Sequence, residues 1–211
     1  MAHDLTVWGA GTSRTMRVHW MMLELGLEYE FFLIRPRTPM TQSAEFIRLN
    51  PRRKVPVLRH GSFVLTESAA IIQYLSEAFA NPDKVYAPDD AKGRAALNEW
   101  CYFVMSEIDA ASLYVARRHE GLSHIYGEAP AAVEAAKRYF QANIEAMAPR
   151  IDERGPYLFG DRVSAADILL MTCLDWAVSL GHTLPVDAAR YRERVARRPA
   201  YQAARERNNA E

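Results

Sequence analysis

The sequence predicts a mixed α/β domain followed by an all-α domain. Up to residue 80, short apolar runs typical of strands alternate with segments whose apolar residues recur at helical spacing. Beyond residue 88 only the helical spacing remains. A polar break that contains a proline, at residues 80–84, separates the two patterns. We therefore expect an α/β domain over residues 1–80 and an all-helical domain over residues 88–211.

The first domain is predicted to run in the order β-α-β-α-β-β-α. Gly26 suits the C-terminal cap of the first helix, Asn50-Pro51 ends the second, and His60-Gly61 suits a hairpin turn between the last two strands. The predicted strands cover residues 5–8, 29–34, 55–58 and 62–65, and the predicted helices cover 15–25, 43–49 and a stretch opened by Thr66-Glu67-Ser68. This mixed order implies a sheet with helices packed on it.

The second domain is predicted from helical periodicity alone. No strand pattern is evident after Pro88-Asp89-Asp90, and four segments have helical spacing: 90–118, 129–150, 164–180 and 187–207. The arginines between 190 and 207 are interspersed with glutamates, which is typical of a solvated helix face rather than of a nucleic-acid site.

Composition and charge exclude several functions. Lys plus Arg and Asp plus Glu each number 26, whereas nucleic-acid-binding proteins usually carry a basic excess. No apolar run reaches the ~20 residues of a membrane-spanning helix, and the N-terminus lacks a signal-peptide pattern. Cys101 and Cys173 have no metal-ligand spacing, so we expect no metal and no disulfide framework. A cytoplasmic protein is therefore the default expectation.

The first candidate binding segment is N-P-R-R-K-V-P-V-L at residues 50–58. Proline inside a β run is unusual because it cannot donate to the sheet ladder. A cis Val55–Pro56 bond would turn the backbone N–H and C=O of Val55 outward, where both can pair with an extended peptide ligand. The alternative is an ordinary edge-strand proline.

The second candidate segment is L-T-E-S-A-A-I at residues 65–71. Thr66 and Ser68 are both plausible N-caps of the helix that follows. The free N–H groups of a helix N-terminus can bind a carboxylate, and Glu67 can accept an ammonium group. The alternative is simple capping. Together the two segments describe a site for a zwitterionic, peptide-like ligand.

The third segment is the turn G-A-G-T-S-R-T at residues 9–15, between the first strand and the first helix. Its hydroxyl groups can donate to an anion above the helix N-terminus. It lacks the third glycine of a dinucleotide fold and no Walker lysine follows, so a nucleotide phosphate is disfavoured. The alternative is a capped turn with Thr12 or Ser13 as the N-cap.

These motifs resemble those of the cytosolic glutathione transferases. N-P-x-x-K-V-P-V-L is followed by T-E-S-A-A-I-I-x-Y-L, and the segment at 160–168 resembles the family's G-D-x-x-S-x-A-D-I signature. In that signature Ser164 and Asp167 have the spacing of a capping box, which serves folding rather than chemistry. The resemblance covers essentially the whole chain.

The resemblance implies a thioredoxin-like first domain that binds glutathione. Lys54 would reach the glycyl carboxylate, and Val55, before the cis Pro56, would hold the cysteinyl backbone. Glu67 and Ser68 would hold the γ-glutamyl end. No metal is implied.

The resemblance also places the thiol-activating group after the first strand. Thr12 occupies the position of the serine in serine-using classes, and the adjacent Ser13 is the alternative. Arg14 would support the thiolate electrostatically or be solvated. This turn contains neither cysteine nor tyrosine, so theta-like and zeta-like classes fit better than cysteine-using or tyrosine-using ones.

The second domain would supply the pocket for a hydrophobic electrophile, with Trp100, Tyr102 and Tyr114 as candidate lining residues. The expected function is glutathione transfer in detoxification, by a homodimer. Two alternatives remain: a glutathione-dependent isomerase, dehalogenase or peroxidase, and a binding or regulatory protein that has lost catalysis. The zeta-like Ser-Ser-Cys triplet is absent at Thr12-Ser13-Arg14, which counts against the isomerase.

Overall fold

The computed structural model describes residues 4–151 and 153–210. Their contacts divide the chain into two compact units, one of residues 4–87 with 196–210 and one of residues 88–195. The sequence pattern assigns the C-terminal segment from residue 196 onward to the helical domain, whereas its contacts place it with the α/β unit.

The first unit is built on a four-stranded sheet in the order β2-β1-β3-β4. The central strand β1 runs parallel to β2 and antiparallel to β3, and β3 forms a hairpin with β4. The elements follow the predicted order, with an added 3₁₀ turn at Pro39–Gln42: β1 Leu5–Trp8, α1 Ser13–Leu25, β2 Glu30–Phe32, α2 Ala44–Leu49, β3 Val57–His60, β4 Phe63–Thr66, α3 Ser68–Ala78 and the short strand β5 Val85–Tyr86.

The second unit is helical. Its elements are α4 Ala91–Phe103, a π-helical segment Val104–Leu113, α5 Tyr114–His119, α6 Ser123–Tyr126, α7 Pro130–Ile151, the short strand β6 Val163–Ser164, α8 Ala165–Ser179 and α9 Val186–Ala196; the last helix, α10 Pro199–Asn209, follows in the first unit. The stretch predicted over 187–207 is therefore two helices. Pro199 starts the second of them, because proline lacks the N–H that would continue the first. The strands β5 and β6 were not predicted, because two residues are too short for an alternating pattern.

Helix α10 joins the first unit because it packs on α1. The rings of Trp20 and Tyr201 meet edge to face with centroids 5.1 Å apart. The Arg198 guanidinium donates to both carboxylate oxygens of the buried Glu24, at 2.7 and 2.6 Å, and the Trp20 indole donates to the same carboxylate at 2.8 Å. Bidentate arginine–carboxylate pairs are among the stronger polar contacts in proteins, so this arrangement fixes α10 against α1.

The capping box predicted at Ser164 and Asp167 forms and extends further than the sequence indicates. The fully buried Asp167 carboxylate accepts hydrogen bonds from the Ser164 N–H and hydroxyl, from the Leu158 N–H at 2.9 Å and from the Tyr191 hydroxyl at 2.7 Å. Burial raises the pKa of Asp167, and the hydrogen bonds oppose that rise. One side chain thus ties α8, α9 and the preceding loop together.

We expect Asp167→Ala to lower the free energy of unfolding by about 3–5 kcal/mol, because several buried donors would lose their acceptor. Asp161→Ala is the matched control: this exposed aspartate lies just outside the same helix, and its loss should change stability by less than about 0.5 kcal/mol. Guanidinium unfolding followed by circular dichroism measures both. Equal stability of the two variants would contradict the structural role of Asp167.

Candidate functional site

The three segments singled out in the sequence meet at one end of the sheet. The pairing register places Trp8, at the end of β1, opposite Val57 at the start of β3, and Val57 opposite Thr66 at the end of β4. The turn after β1, the loop before β3 and the start of α3 therefore lie side by side. Strand order brings the three segments of the candidate site together.

The Val55–Pro56 peptide bond is cis, as the family resemblance implied and in place of the ordinary edge-strand proline that the sequence also allowed. Its loop approaches the turn after β1 so closely that Gly9 has no room for a side chain. A Cβ at Gly9 would lie 2.6 Å from the Thr15 methyl carbon and 3.1 Å from the Val55 Cβ, and the Gly9 φ of 144° is itself unfavourable for other residues. Gly9 thus sets the spacing between the two segments.

Asn50 organises the loop that carries Lys54. Its buried side-chain amide donates to the Lys54 carbonyl at 2.8 Å, and its carbonyl oxygen accepts from the Arg52 N–H at 3.1 Å. The Lys54 side chain is exposed and forms no ion pair with any residue that the structure describes. The loop therefore presents an available ammonium group beside the cis-proline.

The start of α3 differs from the predicted capping. Glu67, rather than Thr66 or Ser68, is the N-cap residue, and no side chain caps the helix. Its φ of 70° is in the left-handed region, which is uncommon for a residue with a side chain. The N–H groups of the first turn of α3 are thus left without a side-chain acceptor and suit a ligand carboxylate.

Ser68 and Glu67 have different surroundings. The Ser68 hydroxyl is buried and accepts from the guanidinium of the buried Arg17 at 3.2 Å, which leaves its own proton to donate. The Glu67 carboxylate is exposed and pairs with Arg52 at 2.7 Å, and the same guanidinium donates to the Thr66 hydroxyl at 3.1 Å. Arg52 is a further polar residue of the candidate site, and the sequence pattern did not single it out.

Thr12 is the N-cap of α1, which decides one of the alternatives left open by the sequence. Its hydroxyl oxygen accepts from the Thr15 N–H at 3.0 Å, and the Thr15 hydroxyl oxygen accepts from the Thr12 N–H at 3.0 Å. Ser13, at the first helical position, is half-buried, and its hydroxyl makes no hydrogen bond within the described part of the chain. Arg14 is half-buried in the same turn.

The turn is also bound by Asn208 from helix α10. Asn208 accepts from the Gly11 N–H through its backbone and bonds the Thr12 carbonyl and the Thr15 hydroxyl through its amide. Nothing in the sequence pattern predicts this, because Thr12 and Asn208 are separated by 196 residues.

A buried histidine stands behind the turn. The Nε2 of His19 donates to the Gly9 carbonyl at 3.0 Å, so its Nδ1 accepts from the Tyr29 hydroxyl at 2.8 Å. Burial lowers the pKa of His19, and the Arg207 guanidinium, which lies over the Tyr29 ring at 5.1 Å, lowers that pKa further. His19 thus holds the end of β1 as a neutral ring.

The aromatic residues predicted to line an electrophile pocket do not share one surface. Trp100 is only 4% exposed and packs against the Phe103 ring and the Arg150 guanidinium, whereas Tyr102 is 67% exposed. Two positions along an α-helix correspond to a rotation of about 200°, so the two side chains face opposite ways. Tyr114 is half-buried at the start of α5.

Other kinds of site find no support in the described residues. Among them, no helix has the length and apolar character needed to cross a membrane. The same residues include no cluster of three or more His, Cys, Asp or Glu suited to a metal ion. Cys101 and Cys173 are both buried and form no disulfide.

Two family models match this chain. Residues 13–78 match the model of the N-terminal domain of glutathione S-transferase, and residues 103–199 match the model of its C-terminal domain. Together the two matches cover more than half of the chain.

Two curated proteins are similar in sequence. Glutathione S-transferase 2 of Anopheles gambiae is 31% identical over 144 residues, which are 68% of this chain and 65% of that protein. Glutathione S-transferase theta-1 of Homo sapiens is 30% identical over 142 residues, which are 66% of this chain and 58% of that protein. The match therefore spans less than two thirds of the length of these relatives.

Two solved structures show the same fold. The glutathione transferase URE2P6 of Phanerochaete chrysosporium, in complex with oxidized glutathione, has a TM-score of 0.85 at 21% identity and covers 98% of this chain and 96% of its own. The nitrogen regulation fragment of the yeast prion protein Ure2p has a TM-score of 0.85 at 20% identity, with coverage of 98% and 97%. The predicted fold class, a thioredoxin-like domain followed by a helical domain, is confirmed.

The lowered pKa of His19 makes stability pH-dependent. Because the folded-state pKa lies below the unfolded value of about 6.5, the unfolded state binds more protons, and stability falls as pH drops from about 6.5 towards the folded value. We expect the loss of unfolding free energy between pH 7.5 and 5.5 to be smaller in His19→Gln than in wild type. His124→Gln, which alters an exposed histidine, is the control and should keep the wild-type slope. Identical slopes in all three proteins would contradict this role of His19.

Proposed function

The chain belongs to the glutathione S-transferase family, and from that premise we propose that it binds glutathione and activates its thiol for attack on a hydrophobic electrophile. The observation that carries the proposal is the meeting of three segments at one end of the sheet: the turn 9–15, the cis-proline loop and the uncapped start of α3. Each segment offers the groups that one part of a zwitterionic tripeptide needs.

The cis-proline loop binds the middle and the glycyl end of glutathione. The backbone N–H and C=O of Val55 pair with the cysteinyl backbone as a short antiparallel contact. The exposed Lys54 ammonium then lies one residue away, where it pairs with the glycyl carboxylate. Asn50 supports this arrangement because it holds the Lys54 carbonyl.

The start of α3 binds the γ-glutamyl end. The free N–H groups of the first helical turn and the Ser68 hydroxyl donate to the α-carboxylate, and the Glu67 carboxylate accepts from the α-ammonium. The exposed Arg52–Glu67 pair does not block this, because such surface ion pairs contribute only about 0–1 kcal/mol.

The turn 9–15 activates the thiol. A free cysteine thiol has a pKa of about 8.5, and lowering it by two units requires about 2.7 kcal/mol. A donated hydrogen bond to sulfur and the field of the α1 N-terminus can together supply that. We assign the donor role to Ser13, whose hydroxyl has no partner among the described residues. We assign the capping role to Thr12, whose hydroxyl accepts from the Thr15 N–H and lies 3.0 Å from the Thr15 hydroxyl oxygen, to which it can donate. Arg14 adds positive charge beside the thiolate.

A non-catalytic binding or regulatory role is the second candidate. The observation that favours it is the fold similarity to the nitrogen regulation fragment of Ure2p, together with threonine at position 12. A glutathione-dependent isomerase, dehalogenase or peroxidase would use the same site with a different second substrate. Assembly as a homodimer and a cytoplasmic location are likewise proposals, drawn from the family.

The thiol pKa of bound glutathione distinguishes the hydroxyl groups. We expect Ser13→Ala to raise that pKa by about one to two units, since the hydrogen bond to sulfur is lost, with little change in stability. Thr12→Val should instead lower the unfolding free energy by about 1 kcal/mol, as loss of an N-cap does. The ultraviolet thiolate band, followed across pH, measures the pKa. A larger pKa rise in Thr12→Val than in Ser13→Ala would make Thr12 the donor to sulfur instead of Ser13. No rise in either variant would show that neither hydroxyl activates the thiol.

Lys54→Ala should weaken glutathione binding about tenfold, equivalent to about 1.4 kcal/mol, because a charge-assisted contact to the glycyl carboxylate is lost. Arg53→Ala is the matched control: it removes the same charge at the neighbouring position, where the guanidinium is bonded to Gln42, and should change the Kd less than about twofold. Isothermal titration calorimetry measures both. Equal weakening would indicate a diffuse electrostatic effect rather than the proposed contact.

A further inference from the structure

Asn208 binds the turn that carries the candidate activating hydroxyls at three points. Its backbone carbonyl accepts from the Gly11 N–H at 2.8 Å, its Nδ2 donates to the Thr12 carbonyl at 3.2 Å, and its Oδ1 accepts from the Thr15 hydroxyl at 2.6 Å. The side chain is only 4% exposed. These bonds hold both ends of the segment 11–15, and Ser13 lies between the bonded residues in the chain.

The packing of α10 on α1 sets the position of Asn208. It lies on the face of α10 that also carries the buried Tyr201 and Ala204, because Ala204 follows Tyr201 by three residues and Asn208 follows Ala204 by four. The pair of Arg198 with Glu24 and the contact of Tyr201 with Trp20 hold that face against α1. Asn208 therefore reaches the turn from a firmly held helix.

The hydrogen-bond donors and acceptors determine the orientation of each group. The Thr12 carbonyl can only accept, so the Asn208 nitrogen faces it and the Asn208 oxygen faces Thr15. The Thr15 hydroxyl has one proton, and its contact with Asn208 is the shortest of its hydrogen bonds. With that proton directed to Asn208, the Thr15 oxygen remains an acceptor for the Thr12 N–H, which closes the capping box.

We propose that Asn208 is a positioning residue for the thiol-activating turn, acting through Thr12 and Thr15 on the hydroxyl that donates to glutathione sulfur. The inference rests on the proposed function. An apolar residue at this buried position would pack against α1 without the cost of desolvating an amide, so packing alone does not call for asparagine. The hydrogen bonds made by this amide are directed at Thr12 and Thr15, within the turn.

Removing the amide should therefore change activation and leave binding largely intact. In Asn208→Leu, which keeps the number and branching of the side-chain heavy atoms, we expect the thiol pKa of bound glutathione to rise by about one unit, so that the thiolate fraction at neutral pH falls several-fold. The Kd for glutathione should change less than about threefold, because Lys54, Val55, Glu67 and Ser68 have no contact with the amide. The transferase kcat should fall with the thiolate fraction and its pH profile should shift upward.

The experiment compares five proteins by the ultraviolet thiolate band of bound glutathione: wild type, Asn208→Leu, Thr15→Val, Thr15→Ser and Asn208→Leu/Thr15→Val. Asn209→Ala, at the exposed neighbouring position, is the control for changes to the end of α10. The inference predicts that Asn208→Leu and Thr15→Val raise the pKa, that Thr15→Ser restores it, and that the double variant shows no more than the larger single effect. Thr15→Val also tests the same hydrogen bond if Asn208→Leu fails to fold.

The outcomes separate this inference from the function on which it rests. A wild-type thiol pKa equal to that of free glutathione would overturn the proposed function and this inference together. A lowered wild-type pKa that Asn208→Leu and Thr15→Val leave unchanged would overturn the inference alone. A higher Kd for glutathione in Asn208→Leu, with an unchanged thiol pKa, would also overturn the inference. Asn208 would then contribute to binding rather than to activation.

Discussion

Helix α1 is the element on which the rest of the first unit depends. It is covered by α3 and by α10, and it buries residues of very different chemistry, including Trp20, Arg17 and Glu24. Both buried charged residues are hydrogen-bonded to a neighbouring helix: Arg17 donates to the Ser68 hydroxyl at the start of α3, and Glu24 forms an ion pair with Arg198 at the start of α10. Because buried charges are costly without partners, these contacts fix both neighbouring helices relative to α1 and so place two of the segments that form the candidate site.

Much of the fold was predictable because its signals are local. Alternation, helical spacing and the positions of Gly and Pro give the element order. The cis bond before Pro56 was left open by the residues themselves and was implied by the family resemblance. Strand order brings the segments that carry Lys54 and Glu67 side by side, as the resemblance to the family implied. The capping of α3 was mispredicted, since the left-handed φ of Glu67 depends on its surroundings in the fold.

What the sequence did not reveal depends on contacts between distant segments. Asn50 and Arg52 are polar residues in a loop, and no local pattern distinguishes their hydrogen bonds from solvation. His19 occupies a helical position that periodicity assigns simply to the core. For the aromatic residues of α4, periodicity gives the spacing but not the face, so Trp100 and Tyr102 could not be told apart. The π-helical segment after α4 makes such reasoning harder, because its wider turns break the α-helical phase.

The contribution of α10 to the turn after β1 also has a consequence for biosynthesis. Residues 4–87 leave the ribosome long before Asn208 is made, and domains generally fold from the N-terminal end during synthesis. The sheet and helix α1 can form at that stage, but Gly11, Thr12 and Thr15 gain their hydrogen bonds to Asn208 only after residue 208 has been translated. A nascent chain that has not yet reached residue 208 therefore lacks the hydrogen bonds that α10 makes to this turn, so the turn is completed only after the sheet and α1 have been synthesised.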